Sequence, residues 1–202
     1  MWKDDAGRAI ALEIKMDAKT YNFTNIYAPT KDKITEQLRF LKSVDLHLQL
    51  AETPFILGGD FNTYLDPLLD KQGGKPEATS KYAEQLLSLL NDYNIVDVWS
   101  ILNPSCNRYM WRQNHPLIQS RLDYFFIAGE LFYNVSDVQI KPSIKTDHSF
   151  LTLTINLADE QKRGPGFWKF NTALLSDEVY IGLIREFSEN LNNNTEIYRT
   201  TA

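Results

Sequence analysis

The stretch FILGGDFNTYLD, residues 55–66, stops an apolar run at two glycines and then sets an Asp and an Asn on either side of a Phe. In an extended chain, side chains i and i+2 share a face. Asp60 and Asn62 therefore fall on one side and Phe61 on the other. Gly58 and Gly59 leave the backbone bare just before them, room that another backbone or a ligand can use. Two readings stay open. The pair forms an Asx turn at a strand end, where Asp and Asn are favoured, or it presents two polar groups to a cleft.

The flanking sequence builds a layered domain around this strand. Residues 8–15 and 20–27 alternate apolar and polar positions and predict two strands joined through MDAK. Ile34, Leu38, Leu41 and Leu48 recur at helical spacing and predict an amphipathic helix over 31–50. DPLLDKQGGKP reads as a loop and 79–92 as a second helix, while IVDVWSIL (95–102) is ambiguous between strand and helical turn. NRYMWRQ, SRLDYFFI, SDVQIKP and SFLTLTINL predict four further strands. Residues 1–158 then make one domain, and 159–202 a charged, glycine-rich linker leading to a helix at DEVYIGLIREFSEN. Strands interleaved with helices predict an α/β fold, and the short loops between strands predict mixed, mostly antiparallel sheets.

With 202 residues and 43% hydrophobic content, the chain can bury a sizeable core. No apolar run approaches the roughly 20 residues that span a bilayer, and the start lacks the basic and apolar regions of a secretory signal. Cys106 is the single cysteine, which excludes an internal disulfide and a thiolate zinc site and suits a reducing, intracellular setting. The formal charge of −5 gives no general positive coat. Contact with phosphates must come from a local patch, for which Arg108, Arg112 and Arg121 are candidates, or from metal ions bridging two anions.

Two more polar groups sit at strand ends. Asp123 lies inside the apolar SRLDYFF, where an unpaired carboxylate is costly. Its partner is Arg121 on the same face, a histidine or a metal. Asp147 and His148 directly precede a strand, whereas His47 on a helix and His115 before a proline are expected to be exposed. For Trp111, in YMWRQ, a core position is expected.

Taken in order, NIYAP (25–29), GGDFN (58–62), SRLDY (120–124) and TDH (146–148) resemble the successive motifs of the endonuclease/exonuclease/phosphatase superfamily, the DNase I-like phosphoesterases. FWKFNTALLSDEVY after the last strand makes the chain most similar to the endonuclease region of LINE-type non-LTR retrotransposon polyproteins. The resemblance implies a four-layered α/β sandwich with its site where strand ends meet. It implies Asp60 as the group that orients or deprotonates the attacking water, and Asn62, Tyr27 and Thr146 as phosphate contacts, with Arg121 near the substrate. It implies His148 as the imidazolium facing the scissile phosphate and Asp123 as its orienting carboxylate. Asp147, with Asp60, would bind Mg²⁺ or Mn²⁺. The hairpin around Tyr109, Met110 and Trp111 stands where such nucleases approach DNA. The implied partners are DNA and a reverse transcriptase domain of the parent polyprotein, in the cytoplasm and nucleus.

The family pattern opens with an Asn-bearing strand and a QET-like segment whose Glu is the principal metal ligand, and neither precedes NIYAP here. The expectation is an N-terminally truncated domain with an unpaired sheet edge, an uncovered apolar face and weak metal affinity. Three functional readings follow: a DNA-nicking endonuclease, inactive if the truncation removes its metal site; a phosphatase of the same fold acting on phospholipid or inositol phosphates; and a non-catalytic remnant.

Overall fold

β3 (Lys19–Tyr27) and β4 (Phe55–Asp60) run parallel, joined by the crossover helix α1 (Ile34–Leu50). They form the centre of a computed structural model that describes residues 1–75, 78–144, 146–157 and 176–186. The linker expected at 159–166 and the WKFN segment lie outside the described residues. The chain divides into two compact units, Met1–Asp159 and Glu160–Ala202, and in the second residues 178–186 are helical.

In the first unit, β1 (Trp2–Lys3), β2 (Ala9–Met16), β9 (Asp123–Ala128) and β6 (Ile95–Asp97) complete a six-stranded sheet in the order β1-β2-β3-β4-β9-β6. Only the β3–β4 pair is parallel in this sheet. The alternation along each strand decides what each face meets. Phe55 and Leu57 of β4 and Tyr124 and Phe126 of β9 pack against Phe40, Leu41, Val44 and Leu48 of α1 and against Tyr82, Leu86, Leu89 and Leu90 of α2 (Lys81–Asp92). Ser80 caps α2 by accepting a hydrogen bond from the Ala83 N–H.

On the opposite face, Tyr21, Ile56 and Ile127 meet Val98 and Trp99 of α3 (Val98–Leu102) and Val138 and Ile140 of β10 (Val135–Lys141). β10 pairs with β11 (Phe150–Ile155) as a separate two-stranded sheet. The ambiguous IVDVWSIL is both elements in turn: β6 ends at Asp97, whose carboxylate then caps α3. A third sheet, β5 (Lys71–Gln72), β8 (Leu117–Ser120) and β7 (Trp111–Asn114), was not separable in the sequence because two of its strands hide in a loop and in the approach to SRLDY. Over β2 the second face has no cover among the described residues, and Ile10, Leu12 and Ile14 are exposed. Among the described residues no helix is long and apolar enough to cross a membrane.

The two glycines of GGDFN serve the protein's own packing. A Cβ on Gly59 would stand 2.0 Å from the Ile26 carbonyl oxygen, and its φ of +136° is hostile to L side chains. A Cβ on Gly58 would meet the Phe125 ring at 2.6 Å. Gly59→Ala is therefore expected to cost about 3 kcal/mol or more, from backbone strain and overpacking together. Urea denaturation of the two proteins checks this; an unchanged midpoint would contradict it.

Candidate active site

The register of the central sheet sets polar residues side by side. Tyr27 is the partner of Asp60 across β3–β4, and Asp60 is the partner of Asp123 across β4–β9. Alternation puts all three on the face turned away from α1 and α2. The Tyr27 N–H bonds the Arg8 carbonyl, which extends the row by one strand, and the Arg8 guanidinium lies 5.8 Å from the centre of the Tyr27 ring. The Tyr27 side belongs to an open surface, since the residue is 56% exposed. Arg8 was missed in the sequence because it sits far from any motif; the β2–β3 register is what reveals it.

His148 reaches this row from another direction. It forms an isolated antiparallel bridge with Trp111, and its Nδ1 lies 2.8 Å from Asp123 Oδ2. Of the two side-chain partners left open for Asp123, His148 is the one it meets, while Arg121 pairs elsewhere. Ligand atoms of Asp60, Asp123 and His148 all lie within 4.8 Å of one another. The hydrogen bond that Nδ1–H donates to Asp123, reinforced by the charges of Asp123, Asp60 and Asp147, holds the imidazole above its ordinary range against the opposing effect of burial. Burial pushes the Asp60 carboxyl up to about 6; the Asn62 N–H opposes this, and the neighbouring Asp123 adds to it.

Asn62 leaves the strand. Its φ is 50°, and its N–H donates to Asp60 Oδ1 at 2.8 Å, so the Asx turn is present. Its side-chain amide donates to the Ala28 carbonyl at 2.7 Å, which leaves one amide N–H for a ligand. Asp60 and Asn62 are neighbours through this turn and not through strand alternation. Thr146 closes a local turn: its hydroxyl accepts the His148 N–H at 2.8 Å. Asp147 lies outside the three-residue cluster, and its carboxylate accepts the Trp111 indole N–H at 2.9 Å. Trp111 is accordingly half-buried and not a core residue.

Arg121 is the clear correction. Its guanidinium is not offered to a substrate: the residue is 3% exposed and pairs with Asp70 at 2.8 Å and Asp97 at 2.7 Å, while also donating to the Ser100 hydroxyl. Asp70 and Asp97 are 51 and 24 residues away in sequence, by subtraction of their numbers, so no local pattern exposes the pairing. Arg108 and Arg112 are exposed. His47 is also corrected, because it is buried, stacked on Trp2 at 4.3 Å and in contact with Asn22. His115 is exposed as expected.

The donor set suits a hard divalent cation: Asp60 and Asp123 are carboxylates in close apposition, with a histidine nitrogen beside them.

Two stability predictions follow from these charges. Arg121→Met strands two largely buried carboxylates and is expected to lower stability by about 3–5 kcal/mol in urea denaturation; a nucleic-acid contact would leave stability unchanged. For Asp60, the folded carboxyl titrates above its ordinary 3.8, so the cost of its charge is absent below that value, grows as pH rises towards about 6 and is complete above it. In EDTA, Asp60→Asn is expected to raise stability at pH 7.5, read as a higher Tm, by on the order of 1 kcal/mol once screening at a partly exposed site is allowed for. The gain should vanish near pH 4.

No family model matches the chain. Over 185 residues, 89% of this chain, it is 29% identical to the "Transposon TX1 uncharacterized 149 kDa protein" of Xenopus laevis, and it spans 14% of that protein's length. Among solved structures it is similar to an AP endonuclease from Leishmania major, with a TM-score of 0.62 at 18% identity, covering 74% of this chain and 55% of that one. The endonuclease domain of the telomere-specific non-LTR retrotransposon TRAS1 matches with a TM-score of 0.56 at 17% identity, covering 75% and 64%. A 3'-5' exonuclease from Neisseria meningitidis matches at 0.55 and 15% identity, covering 72% and 64%. The chain therefore has the DNase I-like fold of these nucleases, with a transposon protein as its sequence relative.

Proposed function

We propose that the chain is a divalent-metal-dependent endonuclease domain of a retroelement, hydrolysing phosphodiester bonds in DNA. The observation that carries this is the Asp60–Asp123–His148 cluster at the strand ends of a DNase I-like fold. The transposon relative supports the mobile-element setting, and a reverse transcriptase domain in the same polyprotein is part of this reading.

In this reading Asp60 accepts the proton of the attacking water. A carboxyl raised to about 6 is still ionised at neutral pH, yet is a better base than an ordinary aspartate. The water oxygen bonds to phosphorus as the opposite P–O bond breaks. His148, held by Asp123 through Nδ1, turns its other nitrogen to the phosphate and offsets the negative charge that develops there. The free amide N–H of Asn62, the Tyr27 hydroxyl and the Arg8 guanidinium bind the remaining phosphate oxygens along the same row. Asp60 and Asp123 would hold Mg²⁺ or Mn²⁺, whose charge lowers the repulsion between the dianionic transition state and the two carboxylates.

The test is nicking of supercoiled plasmid with Mg²⁺ or Mn²⁺, alongside hydrolysis of soluble phosphomonoesters. The expected result is metal-dependent nicking that EDTA abolishes and that Asp60→Ala and His148→Ala each reduce by at least about a hundredfold, with unchanged circular dichroism. Monoester hydrolysis without nicking would favour the phosphatase reading. Nicking that survives both substitutions would rule out this chemistry.

A further inference from the structure

His148 is carried by a different sheet from its partners. Asp60 and Asp123 stand on β4 and β9 of the six-stranded sheet, whereas residues 147–149 run along the outer edge of the segment that enters β7. The Arg112 N–H donates to the Asp147 carbonyl at 3.2 Å, and the Ser149 N–H donates to the Met110 carbonyl at 2.7 Å. On its other side the Met110 N–H donates to the Ser120 carbonyl at 3.0 Å, so 110–112 is a middle strand between β8 and the histidine segment. Met110 is buried in the second core, which fixes this middle strand at its base.

The histidine segment is exposed at its start and half-buried at His148 and Ser149. Thr146 and Asp147 are both exposed, and a side-chain tie from this segment to its neighbour is the Trp111 indole N–H donating to Asp147 Oδ2 at 2.9 Å. The imidazole is tied separately, through Nδ1, to Asp123. The position of the His148 ring is therefore the joint result of two anchors on two sheets, one at Asp123 and one at Trp111.

We propose that Trp111 is a positioning residue for His148, acting through the indole–Asp147 hydrogen bond and the backbone bridge between residues 111 and 148. This assigns Asp147 the work of holding the histidine segment. The kinetic part of the test rests on the endonuclease reading; the spectroscopic part does not.

Trp111→Phe keeps an aromatic ring and removes the donor. It is expected to lower kcat for duplex cleavage about tenfold to a hundredfold, as a misplacement near 1 Å does at a reacting centre, with KM within about twofold. Asp147→Ala should do the same, and the double variant should fall no further, because both changes break one bond. Asp147→Asn retains an oxygen to accept the indole N–H and should lose less than Asp147→Ala. In NMR, the His148 ring signals should shift or broaden in Trp111→Phe while the buried core signals stay in place. A rise in KM at constant kcat would mark Trp111 as a DNA contact and overturn the proposal, as would additive losses in the double variant. Should the unaltered protein fail to cleave any DNA, the endonuclease reading fails; unchanged His148 ring signals in Trp111→Phe would independently overturn the positioning role.

Discussion

Two carboxylates face each other across neighbouring strands at the ends of β4 and β9. Like charges so placed oppose folding, since cross-strand partners have Cβ atoms only about 5 Å apart. At the effective dielectric of a partly buried site the repulsion is on the order of a few kcal/mol. The surrounding structure answers it in two ways. His148 supplies a positive partner to Asp123, and the Asp60 carboxyl, raised to about 6 mainly by burial and further by Asp123, gives up its charge more readily. A carboxylate held away from water in this way gains from a nearby cation or from a proton.

The placement of that pair depends on the glycines and on the charges beneath. Gly59 lets β3 and β4 approach until the Ile26 carbonyl occupies the space of a side chain, which brings Tyr27 alongside Asp60. Arg121, two residues before Asp123, is clamped by Asp70 and Asp97 and packs its guanidinium 4.4 Å from the Tyr124 ring centre. The Tyr124 hydroxyl in turn contacts the Thr63 and Arg121 carbonyls, tying the chain after β4 to the start of β9. A buried cation thus fixes the loop and strand that carry the site, while the exposed charges around it remain available to a ligand. For the proposed phosphodiester chemistry an acidic chain of net charge −5 needs positive groups only locally, and Arg8 and His148 stand in that row.

The site draws on separate structural bodies. Asp60 and Asp123 belong to the large sheet, and His148 to the edge of the β7–β8 hairpin. Residues assembled from distinct elements are brought into register by packing and not by chain proximity, so small changes at a supporting residue such as Trp111 reach the reacting groups.

By itself the sequence determined the alternation of strands and helices, the strand endings at Asp60, Asp123 and His148, and the DNase I-like resemblance. Those features are local: period-2 and period-3.6 patterns, turn residues and short ordered motifs are written within a few positions of one another. It also contained the demand for a partner at Asp123, because an acid in an apolar strand cannot stay alone. Which partner it takes was decided by tertiary structure, since Arg121 and His148 were both plausible until Asp70 and Asp97 claimed the arginine. Tertiary structure alone placed Arg8 beside Tyr27, gave Asp147 to the Trp111 indole and filled the space at Gly58 and Gly59 with the protein's own atoms. Each of these depends on register and close approach between residues far apart in the chain, and neither quantity has a signature in a single stretch of sequence.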